Sequence, residues 1–230
     1  MSFASIIVVA HNRLQDLTMP MLQRLESATV YPHELILIDS GSNDGTYDYF
    51  RSISQKAYRQ PNNLDGIAAA RNIGLKNAEG STIVYLDNDI FVPGNWLTRL
   101  IYDMERGRCG IIGGIPSDEL GRLDLPRAGD GLIDVPYLGG GFSAMPRSTF
   151  NLLGYKDKGL KFCGEDTDYC LRARLAGLRL ASDPWVIAEH RAGATRNALP
   201  ESLIQESQAA FTKKWWPYRQ LFPEIWRRKQ

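Results

Sequence analysis

STIVYLDNDIFVP, residues 81–93, is the stretch around which the chain is organised. Ile83, Val84, Tyr85 and Leu86 run without polar interruption into Asp87, Asn88 and Asp89, and apolar residues resume at Ile90. A strand buried on both faces reads this way, as continuous apolar sequence rather than alternation. The stretch is therefore expected to be a buried strand ending in two aspartates. Carboxylates two apart at a strand end reach one divalent cation if the backbone turns there, and such oxygen ligands suit Mg²⁺ or Mn²⁺. Asp-Asn-Asp is also ordinary turn chemistry, so the rest of the chain has to decide between a ligand set and punctuation.

The same pattern recurs upstream. Residues 6–10 (IIVVA) read as a central strand that stops at His11, Asn12 and Arg13. Over 14–27, Leu14, Leu17, Met21 (or Leu22) and Leu25 keep a helical spacing, with Pro20 expected to bend the helix. Residues 34–38 (ELILI) form the second strand and lead into the loop 39–46, DSGSNDGT, with a helix over 46–54. A short strand is expected near 57–59. The helix after it, 65–77, places Ile67, Ala70, Gly74 and Ala78 on one face, small enough to lie close to a sheet. Another helix follows the 81–93 stretch over 93–104, with Pro93 near its first turn. Strands alternating with helices, each strand ending in polar residues, predict an α/β fold with a Rossmann-like, doubly wound sheet flanked by helices and ligands at the carboxyl ends of the strands.

The second half is less regular. Residues 109–113 are a strand candidate, whereas 115–134 mix Gly, Pro and charge without a period and read mostly as a loop long enough to be functional. Residues 137–145 (YLGGGFSAM) read as a strand with a glycine-rich turn, where missing Cβ atoms let something approach the backbone. A short helix is expected over 147–153. A longer one over 164–176 opens with Glu165, Asp166 and Asp168. Short strands at 178–181 and 186–188 follow, the second running into Glu189 and His190.

With 230 residues, 43% of them hydrophobic, the chain fits a single domain over 1–198 and a helical, basic and aromatic tail over 199–230. A formal charge of +1 gives no global argument for nucleic acid or an acidic partner. Cys109, Cys163 and Cys170 form no zinc or disulfide pattern, so a reduced, cytoplasmic protein with packed cysteines is expected. No apolar run approaches the roughly 20 residues of a membrane span, and no signal segment opens the chain, so a soluble or peripheral protein is expected.

Taken in series, IIVVAHNR, LILIDSGSNDGT, AARNIGLKNAEG, YLDND, GGGFSAMPRSTFNLLG, GEDTDYCLRARLAG and EHRAG resemble the family two inverting glycosyltransferases, which have the GT-A fold. The match spans about residues 5–195, in order. The resemblance divides the domain into a nucleotide-sugar half, about 1–92, and an acceptor half, about 93–198. It implies a nucleoside-diphosphate sugar donor, a UDP-sugar being favoured, and a glycan, lipid-linked or other hydroxyl acceptor. Asp39 would contact the base or ribose, with Ala10, Asn12 and Asn88 also at the donor. Arg71 would lie near the diphosphate and Asp87 near the ribose. Asp89 and His190 would hold Mn²⁺ or Mg²⁺. Asp166 matches the catalytic base, with Glu165 beside it. Ser40 departs from the commoner Asp-Asp-Gly-Ser form and leaves the base open.

The chemistry agrees with these roles. A sugar hydroxyl is a poor nucleophile, so a carboxylate must take its proton as the bond forms, and a cation stabilises the leaving diphosphate. Each residue also has a plainer reading. Acids at a helix start are favoured by its dipole alone, Asp44 suits a helix cap, and Arg71 and His190 suit solvated surface positions. Two rival functions stand beside the transferase. A nucleotidyltransferase would carry a glycine-rich, basic loop after the first strand, where this chain has His11, Asn12 and Arg13. A binding module that keeps the fold without catalysis would not need Asp87, Asp89 and Asp166 together.

The tail, helical over 202–216, ends in FTKKWWPYRQLFPEIWRRKQ. Lys213, Lys214, Arg227, Arg228 and Lys229 with Trp215, Trp216 and Trp226 suit packing on the domain, an anionic membrane surface, or a nucleic-acid strand.

Overall fold

A computed structural model of the chain describes residues 2–191 and 199–226. Strands β1 (Ala4–Ala10), β2 (His33–Ser40), β3 (Ala57–Gln60) and β4 (Thr82–Asp87) are parallel to one another and lie in the order β3-β2-β1-β4. Their neighbours along the chain are helices α1 (Met19–Ala28), α2 (Thr46–Ile53) and α3 (Gly66–Asn77). The chain thus winds outward from β1 to β3 and returns to pair β4 on the other side of β1. Beyond β4 the sheet turns mixed. β8 (Phe142–Pro146) pairs antiparallel with both β4 and β6 (Cys109–Pro116), and β6 runs parallel to β9 (Arg179–His190). Two short strands, β5 (Ile90–Phe91) and β7 (Ile133–Asp134), pair antiparallel with β9.

The apolar runs make this sheet because each strand is covered on both faces. Ile6, Val8, Val84 and Leu86 face one core, shared with α1 and α4 (Trp96–Arg106). Ile7, Val9, Ile83 and Tyr85 face the other, shared with α3 and α6 (Glu165–Leu175). Successive residues therefore enter opposite layers, the period-two rule of a strand, and both layers are apolar. α5 (Arg147–Leu153) follows β8 directly.

Several elements differ from their sequence reading for identifiable reasons. Residues 14–18 form a π turn in which the Thr18 N–H reaches the Arg13 carbonyl at 3.0 Å. The Met19 N–H extends that turn to the Leu14 carbonyl, and Pro20, at the start of α1, cannot carry the pattern one residue further, so it stands where the winding changes from π to α. The stretch read as loop over 115–134 contains a 3₁₀ segment, Ser117–Asp124, and the short strand β7. Residues 137–141 are not strand. The two short strands expected at 178–181 and 186–188 are one strand, β9, but its pairing with β6 jumps from Gly113↔Ser182 to Ile115↔Ile187. The extra residues at that irregularity include Pro184, which cannot donate to a ladder.

Candidate active site

The topology gives a candidate place for a ligand. Strand order reverses at β1, and a crevice opens outside the carboxyl ends of the strands at such a point. Register brings those ends level: Ala10 lies opposite Asp39, and Val9 opposite Asp87. A cleft of ≈ 540 Å³ opens there, and Ala10, Arg71, Asp87, Asn88, Asp89, Glu165, Asp166 and His190 all line it.

Asp39 and Asn12 are absent from that lining. Asp39 is fully buried under the loop that follows β2, where its Oδ1 accepts the Ser42 N–H at 3.1 Å. Its Oδ2 lies 3.1 Å from Arg59 Nε but has no aligned hydrogen bond. Asn12, at φ 56, joins the loops after β1 and β2. Its N–H donates to Ser42 Oγ at 2.8 Å and its Oδ1 accepts the Asn43 N–H at 3.0 Å. His11 and Ser40 supply the cleft wall above them, linked by His11 Nδ1 and the Ser40 carbonyl at 2.8 Å. Asn88 lines the cleft with its Nδ2 donating to Thr18 Oγ1 at 2.9 Å. Asp44 is a tie between segments: its oxygens accept the Leu14 N–H at 2.9 Å and the Thr46 hydroxyl at 2.6 Å.

The centre of the cleft is a buried charge cluster. Arg71, expected near a diphosphate, is 2% exposed. Its Nη1 donates to Asp166 Oδ1 at 2.7 Å and Glu165 Oε1 at 3.1 Å, and its Nη2 to Asp87 Oδ1 at 2.9 Å. Lys156 joins it, with Nζ 2.8 Å from Asp166 Oδ1. Gly140 donates its N–H to Asp166 Oδ2 at 2.7 Å. A Cβ on Gly140 would overlap Asp166 and Arg71, and one on Gly141 would overlap Asp87. The glycine run lets backbone touch these carboxylates.

Electrostatics divides the adjacent acids. Burial, reinforced by the charge of Asp166, pushes Glu165 up to about 8, so it is protonated at neutral pH. Burial opposes the charge on Asp166 too, but Arg71 and Lys156 outweigh it and hold that carboxyl well below the usual range. Burial raises Asp87, with Arg71 opposing. With Glu165 neutral, the charges of Arg71 and Lys156 are matched by those of Asp87 and Asp166.

At the other end, the β5–β9 pairing sets Ile90 opposite His190 and so brings Asp89 to the histidine. Asp89 Oδ2 lies 3.5 Å from His190 Nε2, and Asp89 Oδ1 is buried without a hydrogen-bond partner. His190 Nδ1 faces Asp118 Oδ1 at 2.8 Å, and the His190 N–H donates to Ser117 Oγ at 2.9 Å. A carboxylate only accepts, so Nδ1 carries a proton and Nε2 is the atom turned to Asp89. Hydrogen bonding to Asp89, with Asp118 adding to it, raises His190 to about 9. Among the described residues no group of three or more His, Cys, Asp or Glu is arranged to hold an ion. An orphaned buried carboxylate oxygen beside an oriented imidazole nevertheless fits a divalent cation that takes its other ligands from water and phosphates.

His11, Asp118 and Lys156 were not singled out as site residues from sequence, whereas Gly140 belongs to the glycine-rich turn read there as a point of close approach. Asp118 sits in the aperiodic stretch whose length alone hinted at function. Lys156 stands in a connector after α5 with no periodic signal.

In the tail, α7 (Glu201–Trp215) packs on α6. Trp215 is 3% exposed, clusters with Leu171 and Phe222, and donates its Nε1–H to Asp168 Oδ1 at 2.9 Å. Lys214 is paired with Asp157 at 2.7 Å and with Asp168 at 2.6 Å. Trp216, 51% exposed, stacks edge-on against Trp226 at 5.5 Å. Arg227, Arg228 and Lys229 lie outside the described residues. No helix among the described residues is long and apolar enough to cross a membrane.

Comparison with solved structures assigns the fold. GalNAc-T7 in complex with UDP, GalNAc and Mn²⁺ superposes with a TM-score of 0.73 at 20% identity, over 94% of this chain and 49% of that one. A mannosyltransferase from Pyrobaculum calidifontis in complex with GDP-Man and Mn²⁺ gives 0.66 at 19% identity, over 91% and 69%. The architecture is the GT-A fold. The model of glycosyl transferase family 2 matches residues 5–165, and the chain belongs to that family. An uncharacterized glycosyltransferase of Haemophilus influenzae is 38% identical over 43% of this chain and 41% of its own length. The UDP-Glc:alpha-D-GlcNAc-diphosphoundecaprenol beta-1,3-glucosyltransferase WfaP of Escherichia coli is 33% identical over 46% of this chain and 42% of its own. The chain thus spans less than half the length of these curated relatives.

Proposed function

We propose that the chain catalyses metal-dependent, inverting transfer of a sugar from a nucleoside-diphosphate donor, a UDP-sugar in the first instance, to a hydroxyl acceptor on a glycan or lipid-linked glycan. The observation that carries this reading is the division of one cleft into two chemistries. Asp166, ionised between Arg71 and Lys156, stands at its centre, and the Asp89–His190 pair stands at its edge.

In this reading the loops after β1 and β2 hold the nucleoside, with Asp39 beneath them and Ala10, Asn12, Ser40 and Asn88 shaping the wall. Asp87 faces the ribose. Arg71 neutralises the carboxylates that line the donor's path, which keeps an anionic diphosphate from meeting uncompensated negative charge. Asp89 and His190 would hold Mn²⁺ or Mg²⁺, and the ion would supply Lewis-acid stabilisation of a leaving diphosphate. Asp166 accepts the acceptor's proton as the new bond forms, a contribution of about 10² to 10⁴ in rate. Glu165, protonated and buried, keeps Arg71 in place. A base on one side and the leaving group on the other suit displacement with inversion.

The relative from Escherichia coli is named for a diphosphoundecaprenol-linked acceptor, which supports a lipid-linked acceptor here. The exposed Trp216, Tyr218 and Leu221 beside Arg219 suit contact with the anionic surface that carries it. Incubation with UDP-, GDP- and dTDP-sugars, with and without Mn²⁺, tests the reading. Metal-dependent release of nucleoside diphosphate is expected from one donor. Release of pyrophosphate from a nucleoside triphosphate would assign a nucleotidyltransferase instead, and tight nucleotide binding with no turnover of any sugar would assign a binding module.

A further inference from the structure

Lys156 is 4% exposed. Its Nζ lies 4.9 Å from the ring centroids of both Tyr85 and Tyr169 and 2.8 Å from Asp166 Oδ1. Burying an ammonium between aromatic faces recovers part of its lost hydration, but an uncharged side chain of similar length would fill the space without that loss. The charge therefore serves its partner. Arg71 already reaches Asp166 Oδ1 at 2.7 Å, but the same guanidinium is shared with Glu165 and Asp87. Asp166 Oδ1 thus faces both cations, and Oδ2 receives the Gly140 N–H.

We propose that Lys156 is a positioning residue for proton transfer: by anchoring Asp166 through Oδ1 it leaves Oδ2 to take the acceptor's proton and supplies the positive charge that Arg71 divides between Asp166 and Asp87. This rests on the reading of Asp166 as the base. The charged and titratable groups facing Asp166 are Arg71 from α3, Tyr85 and Asp87 from β4, Glu165 and Cys170 from α6, and Lys156 from the connector after α5. An opposite charge at this range lowers a carboxyl pKa by about one to three units. The base works only when ionised, so losing Lys156 moves the acid limb of the kcat–pH profile to higher pH.

The test is the kcat–pH profile of Lys156→Met and Lys156→Arg with donor KM and Tm recorded alongside. Methionine is expected to shift the acid limb upward by about one to three pH units with donor KM little changed, and arginine to restore the wild-type limb. Lys156→Gln is the second variant if methionine prevents folding. In an Asp166→Asn background, Lys156→Met is expected to add nothing to the loss of kcat, because its partner carboxylate is gone. An unmoved acid limb with only a lower Tm, or additive losses in the double variant, overturns the proposal while leaving Asp166 as the base. Normal turnover by Asp166→Asn alone removes the base reading, and this proposal with it.

Discussion

Asp89 Oδ2 and His190 Nε2 stand 3.5 Å apart although they lie in opposite halves of the chain, because β5 pairs antiparallel with the last residues of β9. Donor atoms this close can share one cation. Asp89→Ala is expected to abolish Mn²⁺-dependent donor binding in calorimetry while circular dichroism stays native, since the residue sits at a strand end. Asp118→Ala is expected to weaken Mn²⁺ by about 10- to 100-fold, as removal of an outer partner of a ligating histidine does. Unchanged Mn²⁺-dependent binding in Asp89→Ala would move the ion elsewhere.

The same contact makes the metal-free protein sensitive to pH. His190 is raised from 6.5 to about 9 by Asp89 and Asp118, so the folded state holds its proton more tightly than the unfolded one. The stability gained is complete below about pH 6.5 and is lost as pH rises through 9. Thermal melts in EDTA are expected to show a decline in Tm over that window in the wild type, and a flatter curve in His190→Gln. Parallel curves would show that the ion pairs contribute nothing measurable.

For the adjacent acids, opposite outcomes are expected. Asp166→Asn keeps the shape and cannot accept a proton, so kcat is expected to fall by about two to four orders of magnitude with donor affinity little changed. Glu165→Gln copies the protonated form and is expected to leave turnover at pH 7 nearly intact. Because Glu165 titrates near 8 rather than 4.5, the wild type loses stability between those values as pH rises, and the Gln variant does not. Its Tm should therefore gain on the wild type from pH 5 to 8. A large kcat loss in Glu165→Gln would exchange the two roles.

The tail tryptophans separate by burial. Trp215→Ala is expected to cost about 3 to 5 kcal/mol, read as a lower Tm, whereas Trp216→Ala is expected to cost less than about 0.5 kcal/mol. Sedimentation with anionic liposomes is expected to weaken in Trp216→Ala and with added salt. Salt-sensitive binding to a polynucleotide in place of liposomes would assign a nucleic-acid contact.

The first half of the fold was legible because parallel, doubly covered strands leave unbroken apolar runs, and the residues that stop them, Asp39 and Asp87, come opposite the adjacent Ala10 and Val9. The glycine run was legible as a close approach, though not what approaches: Asp166 and Asp87 reach it through tertiary packing alone. Lys156 carries no periodic mark, since its role depends on two tyrosines from other elements. Asp118 was hidden because a 3₁₀ segment has no amphipathic repeat to read. Arg71 was placed near the diphosphate by the resemblance, but its burial among Asp87, Glu165 and Asp166 depends on β4 and α6 and leaves no mark on its own helix.

Asp168 follows Asp166 by two residues on α6, and its fully buried carboxylate is bonded by Trp215 and Arg172 and paired with Lys214. A chain trimmed at residue 198 would strip that carboxylate of Trp215 and Lys214 and expose both it and Leu171 to water, losing apolar burial and two polar partners on the helix that carries Asp166. Removing residues 199–226 is therefore expected to lower Tm and to loosen the helix that carries Asp166, through the loss of Trp215, Lys214 and Phe222 from its outer face.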